Sequence, residues 1–351
     1  MKSTGKFVLV FGGLGAMAAL GQIPSPAGLK TGPGVQAAND AKEPDVLKTC
    51  KVPPPARGAG FPRRGPAPAA APGPKEYTVT EIPGVIASGQ KWKEIWEVDG
   101  NNADGIIATK DGGILIAQND NSDVVKLDKD GKTSIAYVDT NTGGALAMNS
   151  KGVLFVNNRG LNASIEELAP QRKTLANKYN GDSFDCIGGV LNDLTADSKG
   201  GAYFTMGGLF YSDAQGKVAR YGENLFTNGI VLSADEKHLF VTNGPTVAVF
   251  DVQKDSSLTN QREFAKLEGG GDGSAFDAAG RLYVTSNGGV NVIGTDGKSL
   301  GLIPTPRDVI SVAFSGPDRK TLYAVSRDNA TNKDWIIAIQ TIAQGPKGRG
   351  K

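Results

Sequence analysis

Residues 266–289 read KLEGGGDGSAFDAAGRLYVTSNGG, and the eight residues DAAGRLYV at 277–284 within them decide the fold. They join a turn signal, Asp followed by small residues and Gly, to a short apolar run of β-forming side chains. The pattern occurs six times, as KDGGILIA (110–117), NSKGVLFV (149–156), DSKGGAYFT (197–205), ADEKHLFV (234–241), DAAGRLYV (277–284) and PDRKTLYAV (317–325). Its apolar anchors are Ile114, Leu154, Ala202, Leu239, Leu282 and Leu322, spaced by 40, 48, 37, 43 and 40 residues. A period of roughly 40–50 residues is that of four-stranded propeller blades. Six copies predict an all-β, six-bladed β-propeller; a sandwich or β-helix leaves so long a repeat without a cause. The remaining strand signals are YTVTEIPG (77–84) and KEIWEV (93–98) before the first copy and DWIIAIQTI (334–342) after the last. They are expected to share one blade between the two chain ends, which closes the ring and removes open edges.

The sequence outside the repeats sets the domain limits. Lys2 and Lys6 precede an apolar run from Phe7 to Leu20, with small residues at the cleavage positions after Ala18 or Gly21. Residues 1–21 are therefore read as a secretory signal, the run being shorter than the ~20 apolar residues of a membrane anchor. A Pro/Ala/Gly-rich stretch, clearest at VPPPARGAGFPRRGPAPAAAPGPK (52–75), makes residues 22–75 an expected disordered linker. The propeller is expected over 76–343 and a frayed basic tail over 344–351. Export places the protein in the periplasm or outside the cell, with no membrane span after signal removal. Cys50 and Cys186 would then form a disulfide or remain two free thiols; spacing decides neither.

With 39% hydrophobic and 21% charged residues the chain can build a sizeable core. A formal charge of +2, with acids and bases mixed, leaves no footprint for nucleic acid. One histidine, His238, excludes any His dyad or Ser-His-Asp triad by count.

The glycines around Asp272 are no phosphate loop, because Phe276 stands where the third Gly of G-x-G-x-x-G belongs. Stepping back from each anchor to the residue opening the inner strand gives Asp104, Gly144, Asn192, Asn228, Asp272 and Ser311. Equivalent positions of a propeller converge on its central channel. Asp104, Asn192, Asn228 and Asp272 would bring two carboxylates and two amide oxygens to one point, a set suited to a hard cation such as Ca²⁺. The competing reading is four independent Asx turns.

The segments LNDLTADSKGGAYFT (191–205), TNGIVLSADEKHLFVTN (227–243), GDGSAFDAAGRLYVTSNGGVNVIGTDGKSLGLIPTP (271–306) and VAFSGPDRKTLYAVSRD (312–328) resemble the SMP-30/gluconolactonase/LRE-like family. The similarity runs from about Asn101 to Asp328. It implies a six-bladed propeller, a divalent metal in the channel, usually calcium, and hydrolysis of a lactone or related cyclic ester. Asn192, Asn228 and Asp272 match the family's metal-binding Asn, Asn and Asp. Asp104 stands where the family usually carries Glu, and Val190 where the animal gluconolactonases carry an arginine. The resemblance makes Asp272 the candidate catalytic residue, orienting or deprotonating the attacking water, with direct attack by the carboxylate as the alternative.

Arg159, in NNRG, is read as a surface residue rather than a ligand for a substrate carboxylate. Phe184, Phe210, Tyr211, Phe226 and Trp335 are read as blade core more readily than pocket wall. The protein is expected to act as a monomer on a small-molecule lactone or ester. The rival reading is a non-catalytic, calcium-stabilised propeller that binds a ligand or protein, and a weaker one is a strictosidine-synthase-like or cofactor-binding propeller enzyme.

Overall fold

The computed structural model of the chain describes residues 37–52, 54, 74–328 and 331–350. The expected signal peptide lies outside the described residues. Six four-stranded antiparallel sheets make the propeller. Blade 1 holds Ile106–Ala108, Ile114–Gln118, Asp123–Leu127 and Thr133–Tyr137; blade 2 holds Leu146–Met148, Leu154–Asn158, Ser164–Ala169 and Lys173–Ala176. Blade 3 holds Leu194–Ala196, Ala202–Thr205, Leu209–Ser212 and Val218–Tyr221, and blade 4 Thr227–Leu232, His238–Asn243, Thr246–Val252 and Leu258–Lys266. Blade 5 holds Ser274–Phe276, Leu282–Ser286, Gly289–Ile293 and Ser299–Pro304. Blade 6 takes Val309–Ser315, Thr321–Asp328 and Lys333–Gln340 from the end of the chain and Lys93–Asp99 from before blade 1.

The repeat is visible in the sequence because each anchor opens, or stands second in, the second strand of its blade. That strand lies between the faces of neighbouring blades, so Ile114–Gln118, Leu154–Asn158 and Leu282–Ser286 are buried at every residue. Burial on both faces demands a continuous apolar run instead of alternation. Outer strands such as Leu258–Lys266 and Lys93–Asp99 are largely exposed and carry no common pattern. The turn before each second strand needs one left-handed residue: Gly112, Gly152, Gly200 and Gly280 supply it with φ of 87, 84, 92 and 79°, Glu236 and Arg319 with 57 and 56°. Asp and Asn at the start of these turns accept backbone N–H groups, as Asp277 Oδ1 does from Ala279 and Arg281 at 2.9 and 3.0 Å.

Ring closure uses KEIWEV alone. Lys93–Asp99 pairs antiparallel with Lys333–Gln340, Lys93 opposite Ala338 and Asp99 opposite Lys333. The segment YTVTEIPG joins no blade. Val79, Ile82, Val85 and Ile86 are instead buried with blade 5 and blade 6 side chains, and Ile342 and Ala343 donate to the Val85 carbonyl at 2.8 and 3.0 Å. The segment is a strap over the closing blade, its backbone satisfied by the chain end.

Two further segments differ from expectation. Within the stretch read as linker, Ala37–Asn39 and Glu43–Leu47 are short helical turns, and Cys50 is disulfide-bonded to Cys186 with Cα atoms 5.5 Å apart. Cys186 belongs to a helical turn, Phe184–Cys186, that follows a small hairpin, Lys178–Tyr179 with Asp182–Ser183. This insertion between blades 2 and 3 accounts for the one anchor spacing of 48. The chain end read as frayed is docked: Arg349 donates to the carbonyls of Ala196 and Ser233 and pairs with Glu236, and Gly350 N–H donates to Met148 O. It covers the end of the channel at which the inner strands finish, among Ala108, Ser198, Leu232, Phe276 and Phe314. Among the described residues no helix is long and apolar enough to cross a membrane.

Candidate active site at the channel mouth

The six inner strands open in register. Asp104, Asn192 and Asp272 each donate their backbone N–H to the second strand of their own blade, to Ala117, Thr205 and Thr285, at 3.1, 2.9 and 3.0 Å. The second strands also bond the next blade: Thr205 Oγ1 donates to Asn228 O at 2.6 Å and Asn157 Nδ2 to Asn192 O at 2.8 Å. Neighbouring blades approach closely here, so a Cβ on Gly229 would stand 2.1 Å from the Asp272 carbonyl oxygen, and one on Gly273 2.7 Å from that of Ile310. The glycine after Asp272 thus admits the blade 6 backbone.

The blade 2 position, Gly144, has no side chain, and the Arg159 guanidinium fills its place. A Cβ on Gly144 would stand 1.8 Å from Arg159 Cζ. Arg159 Nη1 donates to Asp104 Oδ2 at 2.5 Å and Asn119 Oδ1 at 3.3 Å, and Nη2 to Asn192 O at 2.5 Å and Asn192 Oδ1 at 3.4 Å. Asn192 Nδ2 then donates to Asn228 Oδ1 at 2.7 Å. The Arg159 side chain is only 9% exposed, and its Nε has no acceptor among the described residues. The expectation of a surface arginine is therefore corrected: with no side chain on Gly144 to exclude it, the guanidinium lies inside the channel.

A second arginine, Arg327, flanks Asp104 from blade 6. Its Nε donates to Asp334 Oδ1 at 2.8 Å and Nη2 to Ala103 O at 3.1 Å, with Asn101 Oδ1 as a further acceptor. Burial works against its charge, but the Asp334 bond and the charges of Asp104, Asp334 and Asp272 raise its pKa. Burial alone would likewise raise the Asp104 carboxyl. The charges of Arg159 and Arg327, with hydrogen bonds from Asn119 and Arg159, outweigh it and hold that carboxyl below its ordinary value.

Arg159 and Arg327 each lie five residues past an anchor, Leu154 and Leu322, on the blades either side of blade 1. That shared register is the sequence signal for both. Of the other candidates, Phe210, Tyr211 and Trp335 are buried blade residues, Phe184 is buried in the helical turn of the insertion between blades 2 and 3, and Phe226 is 49% exposed. His238 starts a second strand at the end remote from the mouth, near Asp251, and its side chain is 43% exposed.

The four expected ligands thus reach one mouth, but three of them do not fit a calcium ion as arranged. The Asp104 carboxylate and both Asn192 oxygens accept from Arg159, and Asn228 Oδ1 accepts from Asn192. One carboxylate oxygen of Asp104, both oxygens of Asn192 and the side-chain oxygen of Asn228 are thus turned to N–H donors. Among the described residues no three His, Cys, Asp or Glu side chains converge as a metal site.

Residues 132–328, more than half of the chain, match the SMP-30/Gluconolactonase/LRE-like region. The chain belongs to this family. Among its relatives is a gluconolactonase of Zymomonas mobilis, 27% identical over 213 residues, which are 51% of this chain and 59% of that protein. The chain spans less than two thirds of the length of the curated relatives it matches most strongly. A solved gluconolactonase of Xanthomonas campestris superposes with a TM-score of 0.65 at 20% identity, covering 78% of this chain and 99% of that one. The calcium-binding regucalcin of Agrobacterium tumefaciens does so with 0.58 at 17%, covering 73% and 96%. At such identities the superpositions establish the family fold.

Proposed function

We propose that the channel mouth hydrolyses a lactone or related cyclic ester. The observation that carries this reading is the meeting of Asp104, Asn192 and Asn228 with Arg159 at the opening of the inner strands, beside Asp272 and Arg327. A cyclic ester needs a placed water, a base for its proton and positive charge near the carbonyl oxygen as it becomes an oxyanion. Asp272 is assigned the first two tasks. Arg159, whose buried Nε–H has no acceptor among the described residues, is assigned the third, because its guanidinium is held in place before substrate arrives. Kinship with a gluconolactonase supports the substrate class.

The regucalcin likeness would suggest calcium, but oxygens meant for the ion accept from Arg159 and Asn192, so the hydrolysis proposed here runs without it. The substrate is a small molecule, and sugar lactones are disfavoured with Val190 in the place of the family arginine. The Cys50–Cys186 bond supports export to an oxidising compartment, where such bonds persist. The test is a panel of γ- and δ-lactones and aryl esters with the full chain and Asp272→Asn. Turnover reduced at least about a hundredfold in the variant, with unchanged thermal stability, is expected. Absence of turnover on every member overturns the reading and favours a binding propeller, and an undiminished Asp272→Asn overturns the role given to Asp272.

A further inference from the structure

We infer that Arg159 is the resident cation of this channel and that its guanidinium and a divalent ion exclude one another there. The inference concerns what holds the blades together at the mouth and stands whether or not the protein hydrolyses an ester.

Three observations converge on it. The first is location. Arg159 enters the space left by the missing side chain of Gly144, which is the blade 2 counterpart of Asp104, Asn192, Asn228 and Asp272. The guanidinium therefore lies on the ring of positions a channel ion would touch. The second is valence. Its Nη atoms reach the Asp104 carboxylate of blade 1 and the Asn192 carbonyl of blade 3, while the residue itself comes from blade 2. One group ties three consecutive blades, as a shared ion would. The third is charge. Two acids, Asp104 and Asp272, lie in the field of Arg327, and Asp104 is also paired with Arg159, so this mouth carries its own compensating cations.

A guanidinium and Ca²⁺ also differ in a way that makes the exclusion sharp. The ion accepts lone pairs from six to eight oxygens in a loose shell, whereas the guanidinium is a planar fork of five N–H donors. With Arg159 in place, calcium would meet a positive group within bonding distance of its own ligands. With Arg159 removed, Asp104 Oδ2 keeps only the Asn119 amide and Asn192 Oδ1 loses its donor, while Asn228 Oδ1 stays with Asn192 Nδ2; a turn of the Asn192 amide then brings oxygens of all three residues to one space beside Asp272.

The experiment is titration calorimetry with calcium chloride, and thermal unfolding in EDTA or millimolar calcium, on the full chain, Arg159→Ala and Gly144→Ala. The parent protein should release no binding heat, and its Tm should be the same in both media. Arg159→Ala should bind calcium, with a Tm rise of about 5 °C at a concentration about a hundredfold above its Kd. Gly144→Ala expels the guanidinium by the clash at Cζ and should gain the same calcium response, so the test survives if one variant fails to fold. One calcium bound stoichiometrically by the parent protein overturns the inference. So does a folded Arg159→Ala or Gly144→Ala that stays indifferent to calcium.

Discussion

The docked chain end allows a sharp test in Arg349→Ala. The side chain is 8% exposed and donates to Ala196 O at 2.6 Å, Ser233 O at 3.1 Å and Glu236 Oε1 at 2.8 Å, with Leu232 O more distant at 3.4 Å. Stranding a buried charge costs about 3–5 kcal/mol. That range is too high here, because Glu236 keeps the Ser198 N–H at 3.0 and 3.1 Å and its hydroxyl at 2.8 Å. Its side chain is also 21% exposed, so water reaches it. What is lost is one charge-assisted pair and two bonds from a charged donor to carbonyls, together about 2–3 kcal/mol after the carbonyls are rehydrated. In a domain of this size that lowers Tm by roughly 5 °C. The control is Lys347→Ala, which removes the same charge from an exposed residue and should change stability by less than about 0.5 kcal/mol. Urea unfolding of both variants decides the matter. If they lose equally little, the chain end is not docked and the pairing with Glu236 contributes nothing.

Other positions give independent tests. Asp123 has a buried Oδ1 without a partner among the described residues, and burial raises its carboxyl from 3.8 to about 6. An acid whose folded pKa is raised costs stability as pH climbs from the unfolded value through the folded one, so Asp123→Asn should raise Tm at pH 7.5 and leave it unchanged at pH 4. Equal effects at the two pH values would refute this. The Cys50–Cys186 bond spans 136 residues, which gives up to about 5 kcal/mol by the chain-entropy relation. Urea midpoints of Cys50→Ala/Cys186→Ala and of the reduced protein should fall together, and a midpoint insensitive to reduction contradicts it. Gly229→Ala drives a methyl group into the Asp272 carbonyl and should cost about 1–3 kcal/mol, with lactone turnover falling further than stability explains. An active, fully stable Gly229→Ala would show that the blade 4 and blade 5 backbones can part.

How much of the fold is legible in the sequence follows from where constraint is local. The six anchors were legible because one strand per blade is buried on both faces and preceded by a left-handed turn, and both demands fall within eight neighbouring residues. Asp104, Asn192, Asn228 and Asp272 were legible because blade symmetry fixes their register. Arg159 was not, since its place depends on Gly144, fifteen residues earlier, lacking a side chain. A blank in the ring of ligand positions was a place for another residue to enter. The strap at 77–84 misled because its alternating apolar residues suit a strand, yet they pack on blades 5 and 6 with almost no ladder of their own. The chain end is hidden for the opposite reason: its Gly, Pro and Lys are those of a solvated terminus, and its contacts come from Arg349 and from backbone groups of Gly345 and Gly350, which carry no sequence signal.

Arginines at both ends of the channel answer one physical demand. Inner strands converging on an axis leave carbonyl and side-chain oxygens pointing at a common space, and a buried acceptor without a donor is costly. Water or a metal ion can satisfy such a ring, but each must be recruited from solvent. A guanidinium brings five donors in a rigid plane and stays charged under burial that would neutralise a lysine. At the mouth Arg159 serves oxygens from blades 1 and 3; at the other end Arg349 serves blades 3 and 4 through Ala196, Ser233 and Glu236. Both arginines include blade 3 and reach it from elsewhere in the chain, so each also fixes how that blade sits against its neighbour. An ion at the mouth would duplicate a task the chain already performs, which is why Arg159 and calcium should behave as competitors.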